Sequence, residues 1–246
     1  MLVHVQMPGA RFVAPPHRWL REYRRSIKAG ARPLVILQPM GPVMFVFDVS
    51  DTEVQDDAPA LPLEVERPFE VRKGRISHEL ALTIENATRD GVSVVSQQAG
   101  SQSAGSIRTA QTRGQLTFQV KRIPKPEYVS VPLRYEVLLN TKHSSEAQYA
   151  TLAHELAHLY CGHLGTPSAK WWPDRSNASL DHREFEAESV CYIVCRRLGI
   201  DNPSDTYLAG YLRGHDEPPP ISLDCVMKVA GLIEQMGREH LKPRKD

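Results

Sequence analysis

The sequence predicts an α+β fold: a mixed sheet and two helices carrying metal-ligand side chains, preceded by a small helix-and-hairpin segment. Three observations lead there. Short β-branched and aromatic runs lie between Pro/Gly turns in the first half of the chain. Apolar residues recur at helical spacing in the second half. Two helical stretches each set ligand-type side chains four residues apart, His154 with His158 and Glu184 with Glu188. Each pair then lies about 40° apart on one helix face.

At 246 residues the chain can bury a substantial core, as one domain or as two small ones. A content of 41% hydrophobic and 24% charged residues excludes a chain that is disordered throughout. The formal net charge of +1 gives no overall attraction to nucleic acid or an anionic membrane, so any such preference must be local. No apolar run approaches the roughly 18 residues of a membrane helix, and the first residues lack the basic-then-apolar order of a secretory signal. Cys161, Cys191, Cys195 and Cys225 form no Cys-x-x-Cys pair and suit reduced core thiols. A cytoplasmic protein without membrane contact is expected.

Residues 16–29 read as a helix opened by Pro16 and stopped by Gly30. Trp19, Leu20, Tyr23 and Ile27 share one side, and Arg18, Arg21, Arg24, Arg25 and Lys28 another. Residues 11–32 hold seven Lys/Arg against the single acid Glu22. Such a stripe beside aromatics fits a nucleic-acid backbone. The plainer reading is a solvated amphipathic helix with Trp19 and Tyr23 turned inward. Residues 33–38 and 42–49 form a hairpin about a Pro/Gly turn, and the acidic, Pro-rich residues 50–62 read as a linker. The expected division is a first segment, 1–66, and a second domain, 67–246.

In the second domain, Ile76, Leu80 and Ile84 mark a helix over 75–89 that Gly91 stops. Residues 92–95 follow as a short strand. The Gly/Ser/Gln-rich residues 96–114 are expected to be a mobile functional loop or disordered. Residues 116–120 and 128–139 read as strands. The end of the second, 135–140, leads through a polar loop into the His154 helix and is placed to hold an extended peptide along a cleft.

On the His154 helix, Leu152, Ala153, Leu156, Leu159 and Tyr160 fall opposite the histidine pair, so one face is free to present ligands. In His154-Glu-Leu-Ala-His158 both imidazoles can reach one ion, and Glu155, about 100° round, can reach a water on it without ligating. The second helix, over 183–198, supplies Glu184 as third ligand, with Glu188 one turn on to accept a hydrogen bond from a ligand histidine. Glu186 lies about 160° from that face. A His2Glu set with the fourth position open is the arrangement of catalytic rather than structural zinc. It implies one Zn2+ per chain with Glu155 as base.

His163 does not complete a longer three-histidine pattern, because Cys161 and Leu164 stand where a Gly and a His are needed. It is expected at the helix end or beside the ligands. Cys191 and Cys195 read as core. Tyr207 and Tyr211 fall one turn apart on a helix over 202–212. The Tyr207 hydroxyl is a candidate oxyanion donor, with aromatic packing as the plainer alternative. Ser222 caps a last helix holding Val226, Val229, Leu232, Ile233 and Met236.

His-Glu-Leu-Ala-His-Leu-Tyr-Cys-Gly-His163, with Leu138-Leu-Asn140 upstream and Glu184-x-x-Ala187-Glu188 downstream, resembles the zincin domain of the ImmA/IrrE metallopeptidases. It is also similar to the C-terminal metallopeptidase-like domain of ArdC-type antirestriction proteins. That similarity extends to Glu188-Ser-Val-Cys-Tyr192, Leu198-Gly-Ile200, Tyr207-Leu-Ala-Gly-Tyr211 and, near the N-terminus, Val46-Phe-Asp-Val-Ser-Asp-Thr-Glu53. The resemblance covers residues 135–212 and implies a zincin-like fold of the gluzincin type. ImmA/IrrE relatives imply limited cleavage of an intracellular regulatory protein such as a transcriptional repressor. ArdC relatives imply an N-terminal module for single-stranded DNA, with the zincin domain mainly a scaffold.

Overall fold

The computed structural model describes residues 2–37, 43–204, 207–209 and 219–244. By packing the chain divides into two units. The first comprises Met1–Glu70 together with Gln97–Ala104 and Asn140–His143. Its elements are α1 (Leu2–Gln6), β1 (Val13–Ala14), α2 (Pro16–Tyr23), β2 (Arg25–Ile27), β3 (Leu34–Ile36), β4 (Met44–Asp48), β5 (Thr52–Val54) and α3 (Leu63–Glu66). The expected hairpin is present, with β3 antiparallel to β4 and β1 on the far side of β4. Its turn lies outside the described residues.

The helix expected over 16–29 ends at Tyr23. Arg24 takes a left-handed conformation (φ 49°), its N–H closes on the Trp19 carbonyl, and the chain leaves as β2. The basic stripe breaks with it. Arg25 is buried and donates to Thr52 Oγ1 (2.6 Å) and Glu66 Oε1 (2.9 Å). Arg18 pairs with Glu22, and Lys28 donates to the Ser50 carbonyl. Trp19 does turn inward, with Nε1 on the Phe47 carbonyl, whereas Leu20 stays exposed. The expected linker is structured at its start, since Thr52–Val54 form β5 and pair with β2. Part of the polar stretch after residue 96 also belongs here. Asp48 Oδ1 accepts the Ser101 N–H (3.0 Å), and Asn140 Oδ1 accepts that of Ala99 (3.1 Å).

The second unit carries α4 (Glu79–Thr88), β6 (Val92–Gln97), β7 (Gly105–Thr109), β8 (Gln115–Lys121), β9 (Glu127–Pro132), β10 (Tyr135–Asn140), α5 (Ser145–Tyr160), α6 (Leu180–Arg197) and α7 (Leu223–Arg238). One sheet runs β6–β10–β7, and β8 and β9 form a separate hairpin. The strand expected over 128–139 is two strands, because Leu133 and Arg134 turn their N–H groups to Gly114 and Gly91. The expected loop 96–114 contains β7, whose single large apolar residue, Ile107, packs on the core.

Strand β10, expected to lie along a cleft, is the middle strand, with both edges paired. The edges of this sheet are β6 and β7. Ala110 N–H bonds to Arg134 and Arg108 stands opposite Glu136, so residues 106, 108 and 110 face β10. Gly105, Ile107 and Thr109 therefore point their backbone groups outward.

The three long helices start on serine caps: Ser144 accepts from Ala147 N–H, Ser179 from His182 and Ser222 from Cys225. Each is worth about 1 kcal/mol. Helix α5 packs against α6, α4 and α7. Leu152, Ala153, Leu156, Leu159 and Tyr160 are buried, as their periodicity requires. Each buried leucine contributes about 1.5–3 kcal/mol over an exposed one. No helix among the described residues is long and apolar enough to cross a membrane.

Candidate metal centre

Burying one face of α5 leaves its other face to meet α6. There the Nε2 atoms of His154 and His158 stand 3.1 Å apart. Glu184, one turn into α6, brings Oε2 to 3.6 Å from His154 Nε2 and Oε1 to 3.6 Å from His158 Nε2. Ligands held at 2.0–2.2 Å around a tetrahedral zinc are separated by about 3.3–3.5 Å. The observed 3.1, 3.6 and 3.6 Å lie close to either side of that range, and the donor types are those of a catalytic zinc set.

The histidines are held from behind. His154 Nδ1 lies 3.0 Å from Glu188 Oε2, so it carries the proton and leaves Nε2 with its lone pair. His158 Nδ1 lies 3.0 Å from His163 Nδ1. Two imidazole lone pairs at Nε2–Nε2 contact repel unless a cation sits between them. The electrostatics agree. Burial works against a charge on His154, but the carboxylates of Glu184 and Glu188 beside it raise its pKa well above the usual histidine range. Glu184, facing both histidines at 3.6 Å, is held by them well below the usual carboxylate range. The site attracts positive charge, whether protons or a metal ion.

Glu155 faces the same space without joining the donor set. The outward N–H of Ile107 on β7 lies near enough to favour its carboxylate form. Burial raises its pKa; His154 and His158 pull it down, Glu184 pushes it up again, and the net direction is upward.

The structure thus brings together His154, His158, Glu184, Glu155, Glu188 and His163. Tyr207 is 43% exposed, and partial burial, with a smaller push from Glu188, raises its hydroxyl pKa. It makes no hydrogen bond to the donor atoms among the described residues, and Tyr211 lies outside them.

Glu186 and Arg175 take a role here that the sequence did not assign them. Glu186 faces away from the donors, as its angle required, yet is completely buried. It bonds His163 Nε2 (3.0 Å), the Arg175 guanidinium in bidentate fashion (2.6 and 2.6 Å) and the Ser222 N–H (2.8 Å). Burial would raise its pKa, but these partners hold it at about 2.

An α+β unit in which a His-Glu-x-x-His helix meets an acidic helix around converging Nε2 and carboxylate atoms has the architecture of a metallopeptidase. Within that class, residues 115–190 match the Peptidase_M78 family model, described as the IrrE N-terminal-like domain. The match includes every donor named above. Among solved structures, the metal-free antirestriction protein ArdC from plasmid R388 is similar at 15% identity and a TM-score of 0.29. The alignment covers 93% of this chain and 77% of that one. No curated protein matches the chain.

Proposed function

We propose that this protein is a zinc-dependent endopeptidase acting inside the cell on one or a few protein substrates, such as a transcriptional repressor. The observation that carries this reading is the mutual spacing of His154 Nε2, His158 Nε2 and the Glu184 carboxylate. It is supported by the family match over the same residues and by four unpaired cysteines, which suit a reducing compartment.

The residues divide the work. His154, His158 and Glu184 would hold the ion, and Glu188 orients His154. A zinc ion there supplies Lewis acidity, making a water more acidic and polarising the scissile carbonyl. Glu155 takes the proton from the attacking water and hands it to the leaving amine. The carboxylate sits near Ile107 of β7, where the outward backbone groups of Gly105 and Thr109 can pair with an extended substrate. Metal analysis of purified, reconstituted protein should find one zinc per chain. Protein that takes up none overturns the reading.

A second reading, binding of single-stranded DNA by the first unit, is favoured by Phe12 and Phe45, which are 39% and 51% exposed in a unit that also exposes Arg11, Arg18, Arg21 and Arg24. Aromatic faces with arginines are the elements of a stacking platform. Arg25 takes no part, because it is buried on Glu66.

A further inference from the structure

His158 is oriented by a longer route than His154. Helix α5 ends in a Schellman motif: Gly162, at φ 83°, donates to the Leu159 carbonyl, and His163 N–H donates to His158 O at 2.9 Å. That closure folds His163 back against the residue it follows by five, with ring centroids 5.2 Å apart. A side chain at Gly162 could not be accommodated, since a Cβ would stand 1.9 Å from the Pro173 carbonyl. The Gly162 carbonyl then takes the Arg175 N–H at 2.9 Å. This places the Arg175 guanidinium on Glu186.

The protons along this chain are fixed by valence. Glu186 is a carboxylate with only acceptor atoms, engaged by Arg175 through both oxygens. His163 Nε2, 3.0 Å away, must therefore donate. A His158 that ligates through Nε2 keeps its own proton on Nδ1, so in the Nδ1–Nδ1 contact His163 can only be the acceptor. Its Nδ1 is then bare, and His158 Nδ1, 3.0 Å away, must carry the proton. His158 Nε2 keeps its lone pair for the ion.

We propose that Arg175, Glu186 and His163 form a positioning relay that locks the tautomer and ring orientation of His158, and so sets metal affinity at the Nε2 face. The inference rests on the metal-centre reading but not on the peptidase activity. It makes the two histidines unequal. His154 leans on a carboxylate directly, and His158 reaches one only through a second imidazole.

Zinc affinity of the full chain, measured by chelator competition, tests it without a substrate. His163→Leu should weaken binding about 10–100-fold. His163→Asn should recover most of the loss, because its amide oxygen can replace Nδ1 as acceptor. Long-range 1H–15N spectra of the unsubstituted, zinc-loaded protein should show His163 protonated at Nε2 and bare at Nδ1, and Glu186→Gln should mix its tautomers. Unchanged affinity in His163→Leu, or a proton on His163 Nδ1, overturns the relay. Should His163→Leu not fold, the tautomer of the unsubstituted protein decides. Failure of that protein to bind zinc at all would instead count against the centre itself.

Discussion

The Ile107 N–H lowers the pKa of the Glu155 carboxylate, which sets the proposed base beside the outward-facing backbone of β7. Glutamine offers that N–H the same kind of carbonyl oxygen but cannot take a proton at neutral pH. Glu155→Gln should therefore keep one zinc and its thermal stability while losing about 10²–10⁴-fold in peptide hydrolysis. Metal content and cleavage rate measured on one preparation check this. Undiminished cleavage would remove Glu155 as base.

The two acids of α6 that face the histidines should separate by effect on the metal. Glu184 supplies a donor atom, whereas Glu188 bonds His154 from behind. Glu188→Ala should cost about 10–100-fold in zinc affinity, the usual effect of losing an outer partner. Glu184→Ala should cost more than that. The reverse order in a chelator titration would mean that the ligand is misassigned.

Much of this centre can be read from the sequence because helical periodicity is local. The spacing of Leu152, Leu156 and Leu159 fixes which side of α5 is buried, so the side holding His154 and His158 follows. The same reasoning pairs Glu184 with Glu188. It also turns Glu186 away correctly but cannot say what waits there, because Arg175 arrives from a loop without a period of its own. A signal for His163 was present: a glycine four residues after His158 is a helix C′ position, which returns the next side chain to the histidine. Strand β7 was hidden for the opposite reason. Gly105, Ser106 and Arg108 have low strand propensity, and only pairing with β10 makes the segment extended. The basic helix failed at Arg24, where a left-handed residue ended a pattern that continued in the letters.

Gly162→Ala should damage both fold and site. The left-handed conformation alone costs an alanine about 1–3 kcal/mol, and the contact with the Pro173 carbonyl adds to it. Because the same turn delivers His163 to His158, zinc affinity should fall along with stability. Thermal melts in the presence and absence of zinc separate the two effects, and an unaltered melt would contradict the assignment of the turn.

Asp90 is the electrostatic anchor of the second unit. Its buried carboxylate accepts from Arg89, Arg244 and the Tyr160 hydroxyl. Burial would raise its pKa, but the two arginines override that and hold it down. The folded state therefore binds this proton less readily than the unfolded chain, whose aspartate titrates near about 3.9. The stabilisation is complete above that pH and is lost as pH falls through the lower, folded value. Asp90→Asn should cost about 3–5 kcal/mol at neutral pH, since it strands the buried Arg89. Urea unfolding against pH should show the variant's deficit constant near neutrality and shrinking only in strong acid.

The arginines of the first unit can be sorted by whether they act on stability or on a ligand. Arg25→Ala removes charge-assisted bonds to Thr52 and Glu66 from a buried position and should cost about 1.5–3 kcal/mol. Arg21 and Arg24 are exposed, and replacing both with alanine should change stability by no more than about 0.5 kcal/mol each. If the first unit holds single-stranded DNA, that double variant should bind more weakly and lower the slope of log K against log salt by about 1.4, near 0.7 per phosphate contact. A fluorescence titration with a labelled oligonucleotide at low salt reads both. Absence of binding by the unsubstituted protein removes the nucleic-acid reading and leaves Arg21 and Arg24 as solvated surface.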